Sequence, residues 1–540
     1  MAHGDPLFLG ITGPKGYTVF SPGPLQTVAN GVTYQAFAQG YASDQWQITL
    51  RLTNGDTLTQ DRDTTAADSA ADARARLSKV IPADRIEIVT LTAPATVGSS
   101  PLPGGPVAYA VRIKGFDSAA AAHTALDTQV VPAGLAGKVL YTAQDGAPST
   151  GPWNIRVISI APDSPYALKA VHGADLRTPE TLRDQVRLSG ALLGVNASEA
   201  VPIDQAPNSV YLTPEDGRYT GIPEGVVMEG GNLLSTANDG RSALVLGHGA
   251  PVADSARIAE ISTAVSVSAG GSSHPVTGID RVPGYVYGCG MPGLRSADPY
   301  RNPGAAWRNA PCTTTDDLVA FRPEWGDSTP PAADPSLPVR EVVMDGNWTV
   351  TDAHTWLGTA IPAGGRVLQA VGQKAVQWLT DHAPKGATLQ PSASVTDQNG
   401  ASVTAGSPDM LVGGGPALMR DGRIYINARE NGILTDAYTA SNTLAERMPR
   451  TMVGIAKDGT VHLVTVDGRN PDSSVGVTMS EAAAVMQWVG DTDALELGNG
   501  GDTAMIIKDT LYNTPMNDWG SAPKTGYERK LTNALVLAPR

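Results

Sequence analysis

Apolar and polar positions change rhythm at about residue 150. Before it, Gln47–Leu52 alternates as a strand, Ala70–Val80 spaces its apolar residues as a helix, and Arg85–Leu91 alternates again. Ala108–Lys114, Ser118–Gln129 and Gly137–Tyr141 repeat the order strand, Ala-rich helix, strand. The pattern predicts two small βαβ-like units within residues 1–145, joined by a Pro/Gly/Ser-rich stretch near 94–106. A second connector at 142–152 leads into the strand Trp153–Ile160, which opens a large unit spanning 150–540. There, short strands with Gly/Pro turns dominate, and the helical spacings fall at Thr178–Leu188, Gly372–His382 and Ser480–Gly490. The predicted class is α+β, with a large mixed or barrel-like sheet and helices packed outside it.

Composition narrows the function. With 39 basic and 53 acidic residues the net charge is −14, which excludes the basic footprint of a nucleic-acid binder. The 59 glycines and 41 prolines fit a loop-rich β protein, and no apolar run is long enough for a membrane-spanning helix. The eight histidines show no His-x-x-x-His spacing, so neither a transition-metal site nor a cofactor is expected. Cys289 and Cys312 are the only cysteines, and both lie in a Gly-rich, loop-like segment. That setting favours a loop-stapling disulfide over two unrelated buried thiols, and a disulfide implies an oxidising, extracytoplasmic location. The chain opens Met1-Ala2-His3-Gly4-Asp5 with no charged-then-apolar leader, which reads as a mature or trimmed form of a secreted protein. Residues 290–340, rich in Pro, Asp, Arg and Trp, form a candidate lid or substrate wall.

The most telling stretch is Arg450–Met505. It reads as a strand, an Asp-Gly turn, a strand, a polar crossing, a helix, a strand, and then the glycine loop Gly498-Asn499-Gly500-Gly501-Asp502-Thr503. The succession resembles the phosphodiester glycosidase family, which removes sugars from sugar-1-phosphodiesters. The resemblance runs from Trp153 to the C-terminus. It includes Gly194-Val195-Asn196-Ala197, Pro223-Glu224-Gly225, Gly278–Gly284 with the two cysteines, Gly413–Pro416, Pro449-Arg450-Thr451, Asp467-Gly468-Arg469 and Lys530–Leu537. The departures fall in the loop. Glu496 and Gly498 stand where the family has Asn and Asp, and Ser198-Glu199 follows Asn196 where the family has Gly and an aromatic. The N-terminal motif Tyr109–Phe116 resembles sporulation-related repeats, which implies a possible peptidoglycan contact beside a plain spacer role.

The resemblance implies a secreted hydrolase acting on a glycan or sugar phosphodiester of the cell wall or capsule. The alternative is a catalytically inactive carbohydrate-binding or structural protein on the same fold. Cleaving C1–O–P needs a cation or amides on the phosphate, hydrogen bonds to the sugar, and a base or nucleophile. Arg450 offers a planar fork for phosphate, or else a strand-end partner for a carboxylate. Asp502, then Glu496, are candidates to replace the missing acid, and Asp467 reads equally as a turn-former. Asn196, Asn499, Gly500, Gly501 and Thr503 are candidate substrate contacts; capping and tight turns are their bland alternatives. Trp307, Trp325, Trp348 and Trp356 supply either sugar-stacking faces or core.

Overall fold

The computed structural model describes residues 20–540, except 43–44, 52–66, 94, 102–103, 147–148, 203–218, 237–240, 248–255, 287–311, 314, 333, 404–409, 429–430, 432–443 and 518–526. The α+β class holds, built mainly from strands with five α-helices among the described residues.

The predicted N-terminal elements form at Trp46–Arg51, Ala67–Leu77, Ile86–Ala93, Gly105–Phe116, Ala119–Ala125 and Ala136–Tyr141. They do not make two separate sheets. The strands interleave into a single antiparallel sheet in the order 86–93, 105–116, 46–51, 136–141. This split βαβ arrangement lets both helices cover one face. Ala70, Leu77, Ala122 and Leu126 pack there on Ile48, Leu50, Val111 and Ile113.

The strand Val32–Gln39 comes from ahead of that sheet and pairs along Trp153–Ile160 in the central nine-stranded sheet. The path continues through Val461–Val466, Arg450–Ala456, Asp491–Asn499 and Ala417–Arg420. It ends in open edges. The sheets are open rather than closed into a barrel among the described residues, because each ends on a strand with a single neighbour.

Val461–Val466 is buried along its whole length, as a strand covered on both faces must be. On one face Met452, Val464 and Val466 meet the helix Met479–Val489 through Ala482, Met486 and Val489. On the other, Val453, Leu463 and Leu495 meet Leu193, Val195 and Leu535 of a five-stranded sheet. The helix is closely specified. Thr478 and Glu481 form a reciprocal cap at its start, and Gly490 ends it at φ 108°, a conformation that favours glycine. Two further sheets pack together through Val226, Val245, Ile261, Leu318, Val342 and Leu368.

Cys289 and the Cys312 side chain lie outside the described residues, as do Trp307 and the first part, 290–311, of the expected excursion at 290–340. Trp325, at its described end, is fully buried on Phe321. No helix among the described residues is long and apolar enough to cross a membrane.

Asp280 is buried at φ 49°, and its Oδ2 has no hydrogen-bond partner. Burial pushes its carboxyl from 3.8 up to about 7, against the opposing charge of Arg322. The fold therefore holds this proton more tightly than the unfolded chain does. The associated stability is complete below pH 3.8 and is lost as pH rises through about 7. Asp280→Asn, which tolerates the same backbone, is expected to flatten the fall in unfolding free energy across that window. Urea titrations at several pH values check it; equal slopes in variant and wild type would contradict the assignment.

Candidate active site

Two of the expected site residues meet in the core. Arg450 and Glu496 sit on neighbouring central strands, face the Met479–Val489 helix, and pair through Nη1 and Oε1 with no solvent exposure. Arg450 Nε also donates to Val477 O at 2.8 Å, and Nη2 to Glu446 O at 3.3 Å. Its guanidinium is thus held by acceptors of the protein itself.

The strand carrying Glu496 does not stay regular. Arg450 pairs with Asn499 and Met452 with Glu496, so Leu497 and Gly498 together oppose Thr451. This bulge turns Gly498 away from the side of Glu496. A Cβ at Gly498 would lie 2.6 Å from Asn196 Nδ2. Asn196 is itself buried. Its Oδ1 accepts from Thr451 Oγ1 at 2.5 Å and from Ala504 N at 3.0 Å, while its Nδ2 has no hydrogen-bond partner among the described residues. A buried donor without an acceptor is uncommon and marks a place where something else can accept.

Beyond the bulge, Gly500–Asp502 makes one 3₁₀ turn, tied to the sheet by Gly500 N donating to Pro449 O at 2.8 Å. Polar groups from distant parts of the chain surround it. Asn499 Nδ2 donates to Glu199 Oε1. A Cβ at Gly500, which takes φ 69°, would lie 3.2 Å from Arg469 Nη2, and one at Gly501 would lie 2.6 Å from the Arg529 guanidinium. The positive φ favours glycine at 500, and the Asn517 side chain with the Arg529 guanidinium leaves little room for a Cβ at 501. Asp502 Oδ1 accepts from Arg529 Nη1 at 2.9 Å. Asn517 accepts from Arg529 Nε at 2.5 Å and donates to the Tyr527 hydroxyl at 2.6 Å. Thr503 is buried on the same turn, and its Oγ1 has no hydrogen-bond partner among the described residues.

Asp467 follows the strand Val461–Val466. It accepts from Arg156 at 2.6 Å and from Thr514 N at 3.2 Å. Burial pushes its carboxyl up and Arg156 opposes that shift. The hairpin turn between the strands Arg450–Ala456 and Val461–Val466 is instead at Asp458-Gly459. Of the expected groups, Asn196, Asn499, Gly500, Gly501, Asp502 and Thr503 gather at the turn, whereas Arg450 and Glu496 lie toward the helix. The reading from sequence missed Glu199, Arg529, Asn517 and Tyr527. Only Glu199 carried a signal, as an acid three positions beyond Asn196; the others depend on pairings no local pattern encodes.

Residues 339–538 match the phosphodiester glycosidase family. That segment contains Arg450, Arg469, the glycine turn, Asn517 and Arg529. Among solved structures, a Burkholderia pseudomallei protein named as a predicted exported protein is 27% identical, with a TM-score of 0.78 over 98% of each chain. A hypothetical protein from Synechocystis is 15% identical, with a TM-score of 0.52 over 97% of this chain and 81% of that one. The catalytic domain of zebrafish N-acetylglucosamine-1-phosphodiester alpha-N-acetylglucosaminidase is 12% identical, with a TM-score of 0.31 over 75% and 79%. No curated protein matches the chain significantly.

Removing one partner of a fully buried pair strands the other charge. Arg450→Ala is expected to destabilise the fold by roughly 3–5 kcal/mol. Chemical denaturation checks this: a loss below about 1 kcal/mol would show that Glu496 is neutralised some other way.

Proposed function

We propose that the polar cluster around the Gly500–Asp502 turn hydrolyses a sugar-1-phosphodiester in a cell-wall or capsular glycan outside the cell. Water attacks C1 and the C1–O bond to phosphate breaks, giving a free sugar and a phosphomonoester. The convergence of Arg469 and Arg529 on a glycine turn carries this reading. Two guanidinium groups beside a turn with little side-chain bulk suit a phosphate, which needs charge and several donors at once. Asp502, held by Arg529, and Glu199, held by Asn499, are the carboxylates nearest the turn and supply the base. Asn196 Nδ2 orients a sugar oxygen. Arg450 and Glu496 support the turn from beneath. The name of the Burkholderia relative supports an extracytoplasmic setting.

A second reading has its own observation. Gly498 stands where the family carries an Asp, and Asn196 fills the space that an Asp Cβ would need. A corner closed in this way suits a protein that binds the glycan without cleaving it.

Release of free N-acetylglucosamine from an N-acetylglucosamine-1-phosphodiester separates the two. Asp502→Asn and Glu199→Gln are each expected to lower turnover by about a hundredfold with the fold intact, and Arg469→Gln to raise KM. Full turnover in both acid variants would overturn the carboxylate assignment. Binding without any turnover by the wild type would favour the second reading.

A further inference from the structure

A second cavity lies far from this chemistry in the chain. It has a volume of about 290 Å³ and sits between the sheet containing Arg257–Ala269 and the sheet containing Arg366–Val371. Its floor is apolar, with Met228, Leu233, Val265, Val276 and Ile279 among its walls. Its rim reaches exposed backbone at Gly231-Asn232 and Pro391–Ala393, so the cavity opens to solvent. Its size is close to the lower end of the ~300–1,000 Å³ range of small-molecule pockets.

Two arginines line it, Arg322 and Arg366. Arg322 Nη2 donates to Leu233 O at 2.6 Å and lies 3.6 Å from Asp280 Oδ2, while its Nε is 3.9 Å from Glu324 Oε2. Arg366 differs. Its guanidinium stacks 4.0 Å over the Trp348 ring and, among the described residues, has neither a hydrogen-bond nor an ion-pair partner. Its Nε is buried. Desolvation and the charge of Arg322 weigh against its proton, and the carboxylates of Asp345 and Glu324 oppose them.

Trp348 holds its ring there from a backbone at φ 63°, uncommon for a bulky residue, closed by Asp345 accepting from Asn347 N and Thr349 N. Strain of this kind persists where the surroundings over-determine it. Arg322 is flanked by Asp280 and Glu324, whereas the buried Nε of Arg366 has no acceptor among the described residues; a guanidinium left so over an apolar floor is costly and suits an added anion.

We propose that this cavity binds a small amphipathic carboxylate, its carboxyl bridging Arg366 and Arg322 and its apolar body lying between the two sheets. At about 30 Å³ for each water-sized group, the volume holds about ten such groups, the size of a medium-chain fatty acid. The proposal is independent of the hydrolase reading, since no residue is shared with the glycine turn.

Calorimetric titration of the full chain with octanoate tests it, with 1-octanol and acetate as probes that each lack one half of the ligand. Octanoate is expected to bind one-to-one and at least roughly tenfold more tightly than either. Arg366→Gln, checked for an unchanged thermal melt, is expected to weaken octanoate by roughly tenfold or more and leave 1-octanol unaltered. Trp348→Ala, which frees the guanidinium from its stack, should also weaken octanoate. No octanoate binding by the wild type would overturn the proposal, as would equal affinity in Arg366→Gln or acetate binding as tightly as octanoate.

Discussion

A salt bridge with no access to solvent sits at the junction on which the candidate site rests. Arg450 and Glu496 belong to adjacent strands in the middle of the nine-stranded sheet, and both are completely buried. Taking each ion out of water costs several kcal/mol, so the pair is tolerable only where further acceptors surround it. Val477 O and Glu446 O meet that need for Arg450, and in doing so fix the entry to the Met479–Val489 helix relative to the strand. Arg450 also pairs through its backbone with Asn499, the last residue before the glycine turn. The buried pair thus sets the height at which the turn leaves the sheet.

That placement divides two roles. Charges on the helix side are consumed within the protein: Arg450 with Glu496, and Arg447 with Glu481 at 2.6 Å. Charges on the far side of the bulge gather around a turn with almost no side-chain bulk, where Arg529 pairs with Asp502 and Arg469 donates to the Met516 and Asn517 carbonyls. The bulge at Leu497-Gly498 makes the division, because it reverses which way the strand faces within two residues. Glu496 and Gly498 would share a face on a regular strand, and here they do not.

Local features of the fold were legible in the sequence. The helix at 479–489 showed in its apolar spacing over Ser480–Gly490, and the N-terminal strands and helices showed in their period. Each of those signals is carried by residues within one or two turns of each other. Pairings were not legible. Nothing local in Val32–Gln39 says that it zips along Trp153–Ile160 or that the two βαβ-like units interleave into one sheet. The site divides in the same way. Asn196 and the glycine turn stood out as motifs, whereas Arg529 reaches Asp502 across a 27-residue separation and Asn499 reaches Glu199 across 300. Arg450 was visible as a functional candidate, but its partner 46 residues on was read as a separate acid.

The central claim is that Arg450 and Glu496 serve as scaffold while Arg469 and Arg529 face the phosphate. A double variant, Arg450→Met with Glu496→Leu, removes both buried charges together and keeps apolar bulk, which commonly preserves stability. Calorimetric binding of N-acetylglucosamine-1-phosphate to that variant and to the wild type measures the claim directly. The account predicts a folded double variant whose affinity stays within roughly tenfold of the wild type. A folded double variant that no longer binds the sugar phosphate, while Arg469→Gln in the wild-type background binds it normally, would contradict it.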